Sequence, residues 1–162
     1  MSIGNQVEWV LHCMAVIARV PDGKYIPTKV LAEFHGIPKE YLSKGLQQLA
    51  KKQLIEGTLG PKGGYRLLKK PEDITFLDIV QAIENDSHRF VCKNIRLNNP
   101  CLKKTEKKST DICTIARIMN DADEVWRQAL KKVTLADLEK QLEIDVAGDI
   151  LSRSENWFAE RF

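Results

Sequence analysis

A mainly α-helical chain with a small β-hairpin, built as a winged helix-turn-helix followed by a long dimerisation helix, is the fold class this sequence predicts. Three observations predict it. Two short apolar-periodic runs meet at Gly36. Two strand-like runs flank the turn Gly60-Pro61-Lys62-Gly63-Gly64. A long amphipathic run extends from Thr114 to Lys131.

The first helix is read from Ile3 to Val20, where Val7, Val10, Leu11, Met14, Ile17 and Ala18 recur at helical spacing before Pro21-Asp22-Gly23 ends it. Glu8 and His12 stand four apart on one face of that helix. Read on their own they are a solvated pair, or else a carboxylate and an imidazole aimed at a metal, to which both can ligate. Cys13 follows the apolar side and reads as core, and Trp9 as packing or a shield for a cofactor.

Thr28 reads as a cap for KVLAEFHG, in which Leu31 and Phe34 face inward, and Gly36 closes that helix. Pro38 then suits the first turn of the next helix, whose apolar stripe is Tyr41, Leu42, Leu46 and Leu49. Two short helices joined by a glycine-bearing turn, the second rich in Lys, Ser and Gln, fit a DNA-reading helix-turn-helix. The strands read as Leu54–Leu59 and Tyr65–Leu68, a wing with Lys62 at its tip and Arg66 at its base to meet phosphate or the minor groove. The candidate DNA contacts are Thr28, Lys39, Tyr41, Ser43, Lys44, Gln47, Lys51, Lys62 and Arg66. Charge agrees with this: residues 1–70 hold eleven Lys/Arg against five Asp/Glu, whereas residues 71–162 hold fourteen against seventeen.

Thr75 reads as the cap of FLDIVQAIEN with Asp78 completing a capping box, and Phe76, Ile79, Val80 and Ile83 as its buried stripe. A polar, lysine-bearing loop then carries Cys92, Cys101 and Cys113, with eight and then eleven residues between them, too wide for a compact zinc knuckle. Cysteines in a solvated loop suit metal, iron–sulfur or thiol chemistry. Lys103, Lys104, Lys107 and Lys108 keep that loop solvated. In the long helix, Ile115, Ile118, Met119, Ala122, Val125, Trp126 and Leu130 offer more apolar surface than a lone domain needs, which reads as a helix crossing to a partner subunit. Thr134 caps LADLEKQLE, and Trp157, Phe158 and Phe162 dock a tail from Ile144 onto the body. His35 and His88 read as surface or turn residues. The expected organisation is a winged helix-turn-helix DNA-binding domain over 1–85, a cysteine-bearing cluster loop over 86–113, and a dimerisation helix with C-terminal tail over 114–162.

No run of eighteen apolar residues and no basic-then-apolar leader occurs, so a cytoplasmic protein without a membrane role is expected, where disulfides are rarely structural. No nucleophile–base set points to an enzyme.

The run LSKGLQQLAKKQLIEGTLGPKGGYRLLKKPEDITFLDIVQAIE closely resembles the winged-helix transcriptional regulators of the Rrf2 family. Gly60 to Tyr65, followed by Ile74-Thr75 and Asp78-Ile79-Val80, is the most specific part, and the likeness runs from the first helix to the long one. It implies a homodimeric regulator, read as a repressor, that presents Tyr41–Lys51 to the major groove of a double-stranded DNA operator and its wing to the minor groove. Members that sense through a cluster carry three loop cysteines, here Cys92, Cys101 and Cys113, with wider first spacings than in the iron–sulfur assembly branch. Ser43 and Leu59 stand where that branch has an acidic residue and an arginine, which implies a different operator. The stretch Val7 to Cys13 is similar to a redox-responsive subgroup, RsrR and its relatives.

That subgroup's 2Fe–2S cluster uses two cysteines, one histidine and one glutamate. Carried over, the resemblance implies one such cluster per protomer, held by Glu8 and His12 of one protomer with Cys101 and Cys113 of the other. A set of all three cysteines with one helix residue competes, so Cys92 remains a candidate ligand. Imidazole ligation raises a cluster's potential and suits redox sensing. The other readings are a cluster-free regulator switched by cysteine oxidation or a protein partner, and a structural zinc protein.

Overall fold

The computed structural model describes residues 4–84, 89–103 and 111–161. His88, Lys104, Lys107, Lys108, Phe162, Ile3 as a helix start and Asn85 as a helix end lie outside them. The elements in order are α1 (Asn5–Ile17), α2 (Thr28–His35), α3 (Lys39–Lys51), β1 (Ile55–Thr58), β2 (Gly64–Leu67), α4 (Phe76–Glu84), α5 (Thr114–Lys131), α6 (Leu135–Asp145) and α7 (Gly148–Ala159), with short 3₁₀ turns at Pro71–Asp73 and Ile95–Asn98. Two compact units result: Ser2–Asp86 with Leu130–Phe162, and Ser87–Ala129.

In the first unit, Val7, Val10, Cys13, Met14 and Ile17 turn one face of α1 into the core, against α3 and α4. Leu42, Leu46 and Leu49 bury the matching face of α3. The two helices lie close because Gly45 offers no side chain: a Cβ there would meet Val10 Cγ1 at 2.7 Å. Gly36 takes a left-handed conformation (φ 63°) that stops α2, and its amide and that of Ile37 tie back to Glu33 and Ala32. Thr28 is the first residue of α2 and not its cap; Pro27 occupies the cap position and contributes no side-chain hydrogen bond. Pro38 similarly caps α3 from outside the helix.

The wing is one antiparallel pair in the register Ile55↔Leu67, Glu56↔Arg66, Gly57↔Tyr65 and Thr58↔Gly64. Ile26 and Tyr65 exchange two backbone hydrogen bonds of 2.9 Å, which fasten the wing to the loop before α2. Gly64 permits that approach, since a Cβ would collide with the Ile26 carbonyl.

The capping box read at Thr75 forms, and the cap read at Thr134 proves to be a full box as well. Asp78 N donates to Thr75 Oγ1 while Thr75 N donates to Asp78 Oδ2, and Thr134 and Asp137 repeat the pattern at α6. The two boxes also meet, through an isolated bridge between Thr75 and Thr134 and hydrogen bonds Phe76 N to Val133 O and Leu135 N to Ile74 O. The tail from Ile144 is more ordered than its sequence suggests, because Gly148–Ala159 is a full helix. Phe34 holds it, with ring centroids 5.3 Å from Trp157 and 4.5 Å from Phe158, while Arg161 reaches Glu33 at 3.6 Å. Phe34 therefore faces α7, and not the interior expected of it.

In the second unit α5 begins at Thr114 as read. Asp123 is its buried charge: Arg127 approaches at 2.9 Å and Arg89 at 3.8 Å, and Arg89 also stacks on Trp126. On another face Ile115, Ile118, Ala122, Val125 and Ala129 stand exposed at alternating three- and four-residue steps. Ile115, Ile118 and Val125 are 64%, 60% and 71% exposed.

Replacing Gly45 by Val should force α1 and α3 apart and cost about 1–3 kcal/mol, as overpacking does. A urea titration would read this as a lower midpoint with an unchanged slope.

Candidate nucleic-acid interface and cysteine centre

The recognition face is α3. Lys39, Tyr41, Lys44, Gln47 and Lys51 are exposed along it, and Ser43 is half-buried. Tyr41 does not join the apolar stripe expected of it. It is 58% exposed, with Trp9 edge-on at 6.4 Å, Lys44 Nζ 5.8 Å over its ring, and its carbonyl accepting from Gln6 Nε2. The aromatic ring thus stands beside the lysines, where it can meet a sugar–phosphate surface. Thr28 is half-buried at the start of α2.

On the wing, Lys62 is exposed at the tip and Leu59 beside it is 99% exposed. Arg66 is engaged within the wing. It forms an ion pair with Glu56, directly opposite in the ladder, and lies 4.7 Å over the Tyr25 ring. The hydrogen bond from that guanidinium to Glu56 holds the Arg66 pKa above its usual value. Arg66 stiffens the hairpin base as it presents a cation.

Glu8 and His12 are both exposed on the open side of α1, and they line one depression with Trp9, His35 and Pro38. The His12 and His35 rings are 5.8 Å apart. His35 is no simple turn residue: it stacks edge-on with Phe34, and its Nε2 is buried without a hydrogen-bond partner among the described residues. Burial, and then the charge of His12, push its pKa below the usual imidazole value. Cys13 is wholly buried, and burial lifts its thiol to about 12, so it is the core residue the sequence suggested.

The cysteine centre is built on the start of α5. Cys113 immediately precedes the first helical residue, is buried, and accepts hydrogen bonds from the backbone amides of Ala116 and Ile115. Those amides, then the Cys92 thiol and the Arg96 charge, hold the Cys113 pKa below its ordinary value. Arg96 also donates to the Asp111 carbonyl. Cys92 is half-buried beside Cys113, its sulfur accepting from Asn94 N at 3.4 Å. Cys101 is exposed in a turn, its amide donating to Asn99 Oδ1 at 2.9 Å. The structure therefore brings Cys92 to Cys113. Among the described residues no three His, Cys, Asp or Glu side chains gather closely enough to hold a metal ion.

The donor chemistry fits an iron–sulfur group at Cys113. An anionic sulfur at a helix N-terminus is the form that ligates iron, and a second thiol is at hand. Sequence reading missed Arg96, whose charge bears on Cys113 from elsewhere in the chain, and the pair that Arg89 makes with Asp123 of α5.

Residues 3–141 match the Rrf2 family, described as iron-dependent transcriptional regulators. Relatives include Protein rrf2 of Nitratidesulfovibrio vulgaris, 32% identical over 138 residues (85% of this chain, 87% of that one). The HTH-type transcriptional regulator NsrR of Bacillus subtilis is 28% identical over 147 residues (88% and 93%). Among solved structures, that of T. potens IscR superposes with a TM-score of 0.68 at 21% identity, covering 91% of this chain and 93% of that one, a likeness of fold.

Asp123→Ala would leave Arg127 without its buried carboxylate and should destabilise the second unit by on the order of 3 kcal/mol. Hydrogen exchange should then speed up along α5 more than along α1–α4; equal acceleration in both would contradict this role for Asp123.

Proposed function

The chain belongs to the Rrf2 family of transcriptional regulators, and from that membership we propose that it is a homodimeric, cytoplasmic repressor whose operator binding follows the redox state or presence of a 2Fe–2S cluster. The observation that carries the cluster reading is Cys113, a thiol held toward its anionic form at the start of α5 with Cys92 beside it. Cys113 is the anchoring thiolate. Cys92 and Cys101 compete for the second position, and Glu8 and His12 on α1 of the partner subunit complete the set. One such cluster per protomer would supply a reversible one-electron change of charge.

This chain's own residues do the rest. Lys39, Lys44, Lys51 and Lys62 engage phosphates, and Gln47, Ser43 and Tyr41 face base edges and sugars. The exposed seam of Ile115, Ile118, Ala122, Val125 and Ala129 fits a second copy of α5, because identical 3-4 seams are self-complementary about a two-fold axis. Glu8 and His12 ride on the helix whose opposite face packs α3. A ligand bound there in only one state would bias the position of the recognition helix, as allostery requires.

A second reading has its own support. Cys92 and Cys113 are close enough to interact, so a cluster-free regulator could switch by joining them in a disulfide, each thiol giving up one hydrogen to peroxide, which is reduced to water.

Anaerobic purification with iron and sulfide assay separates the two. About two iron and two sulfide per chain, with absorbance that bleaches reversibly in dithionite, is expected. Cys113→Ser should abolish the colour, and whichever of Cys92→Ser and Cys101→Ser also does so names the second thiolate. A protein colourless after anaerobic reconstitution, whose Cys92 and Cys113 peptides become linked after peroxide, would establish the thiol switch instead. For the DNA face, Lys44→Ala and Lys62→Ala should each weaken operator binding and lower the slope of log affinity against log salt by about 1. An unchanged slope would remove that lysine from the interface.

A further inference from the structure

The apolar sides of α1 and α7 face each other across a cavity of about 410 Å³, within the ~300–1,000 Å³ range of small-molecule sites. Val16 of α1, Val20 in the bend after it, Leu151 and Phe158 of α7 and Leu142 of α6 supply its apolar lining, and α2 contributes Phe34 and His35. No residue of α7 is fully buried. The helix is therefore held over this space by its aromatic contact with Phe34 and by ion pairs, and not by close packing onto α1. Well-packed interiors leave few voids larger than a water molecule, since lining atoms without partners forfeit dispersion contacts.

The polar groups at the cavity are unbalanced. Arg19, Lys24, His12 and His35 line it, against the single carboxylate of Glu155. Arg19 reaches Glu155 and Glu143 only at 3.8 Å each, and both carboxylates are largely exposed. Such long, solvated pairs hold little energy, so a carboxylate arriving in the cavity can take the guanidinium fork in closer geometry. The buried, unpartnered Nε2 of His35 adds a hydrogen-bonding group at the α2 side.

We propose that this cavity binds a small amphipathic monocarboxylate, its apolar body between α1 and α7 and its carboxylate on Arg19. The carboxylate seat at Arg19 uses none of the cysteines, so the proposal holds whether or not the chain carries a cluster, although His12 in the lining is also a candidate cluster ligand. Its wall includes α2, the first helix of the helix-turn-helix, so an occupant touches the DNA-binding head directly.

The test is calorimetric titration of the full-length protein with hexanoate, octanoate, decanoate and phenylacetate, and with 1-octanol as the uncharged control. At least one acid should saturate a single site per chain and raise the melting temperature, and octanoate should bind at least about tenfold more tightly than 1-octanol. Arg19→Gln should reduce octanoate to the level of the alcohol. Ala15→Trp fills the space from α1 and Ser154→Trp fills it from α7, so that if one of them fails to fold the other decides; either should abolish binding. Iron and sulfide content should be unaffected by these variants, which separates failure here from failure of the cluster reading. The proposal is overturned if none of the acids binds saturably, if the folded Trp variants bind as the parent does, or if Arg19→Gln leaves the preference for octanoate intact.

Discussion

The close approach of α1 to α3 is the constraint on which the head depends. Gly45 admits Val10 into the space a Cβ would fill, so the two helices share one layer of side chains and neither can shift alone. One side of α1 is committed to this contact through Val7, Val10, Cys13, Met14 and Ile17. Its other side is left to do chemistry, and there stand Glu8, His12 and the lining of the α7 cavity. Whatever engages that open side acts on a rod already locked to the recognition helix.

The wing shows a different economy of charge. Arg66 is held by Glu56 across the ladder and by Tyr25 below it, which cancels part of its charge and fixes the hairpin base. Lys62 and Leu59 are left to the tip. On the DNA-binding reading proposed above, a fully exposed leucine beside a lysine would offer the minor groove an apolar contact with one phosphate anchor.

What could be read from the sequence was local. The capping box at Thr75, the cap at Thr134, the stop at Gly36 and the bounds of α5 each depend on residues within one turn, and each forms as expected. Thr28 failed as a cap because Pro27 already holds the extended conformation that a cap requires, which leaves Thr28 as the first helical residue. Helix α7 was read as a docked tail, since its aromatics Trp157 and Phe158 are only partly buried and lie against core residues from elsewhere in the chain. His35 looked like a turn residue because its neighbours, His12 and α7, come from elsewhere in the chain. The same holds for Cys92: spacing cannot rank it against Cys101, whereas the contact with Cys113 can be made only by folding.

The position of Cys113 suggests why the centre sits where it does. The amides of Ile115 and Ala116 lie at the positive end of the α5 dipole, so a negative sulfur there is stabilised and a more positive one is penalised. The same helix carries the exposed apolar seam that fits a second copy. A change of charge at the first turn would therefore fall on the element to which the proposal gives the dimer contact. Thiolates scattered along a loop would ligate iron equally well but would report to nothing. On the proposed reading, anchoring one of them at the start of the helix that carries the apolar seam is what would suit the site to regulation.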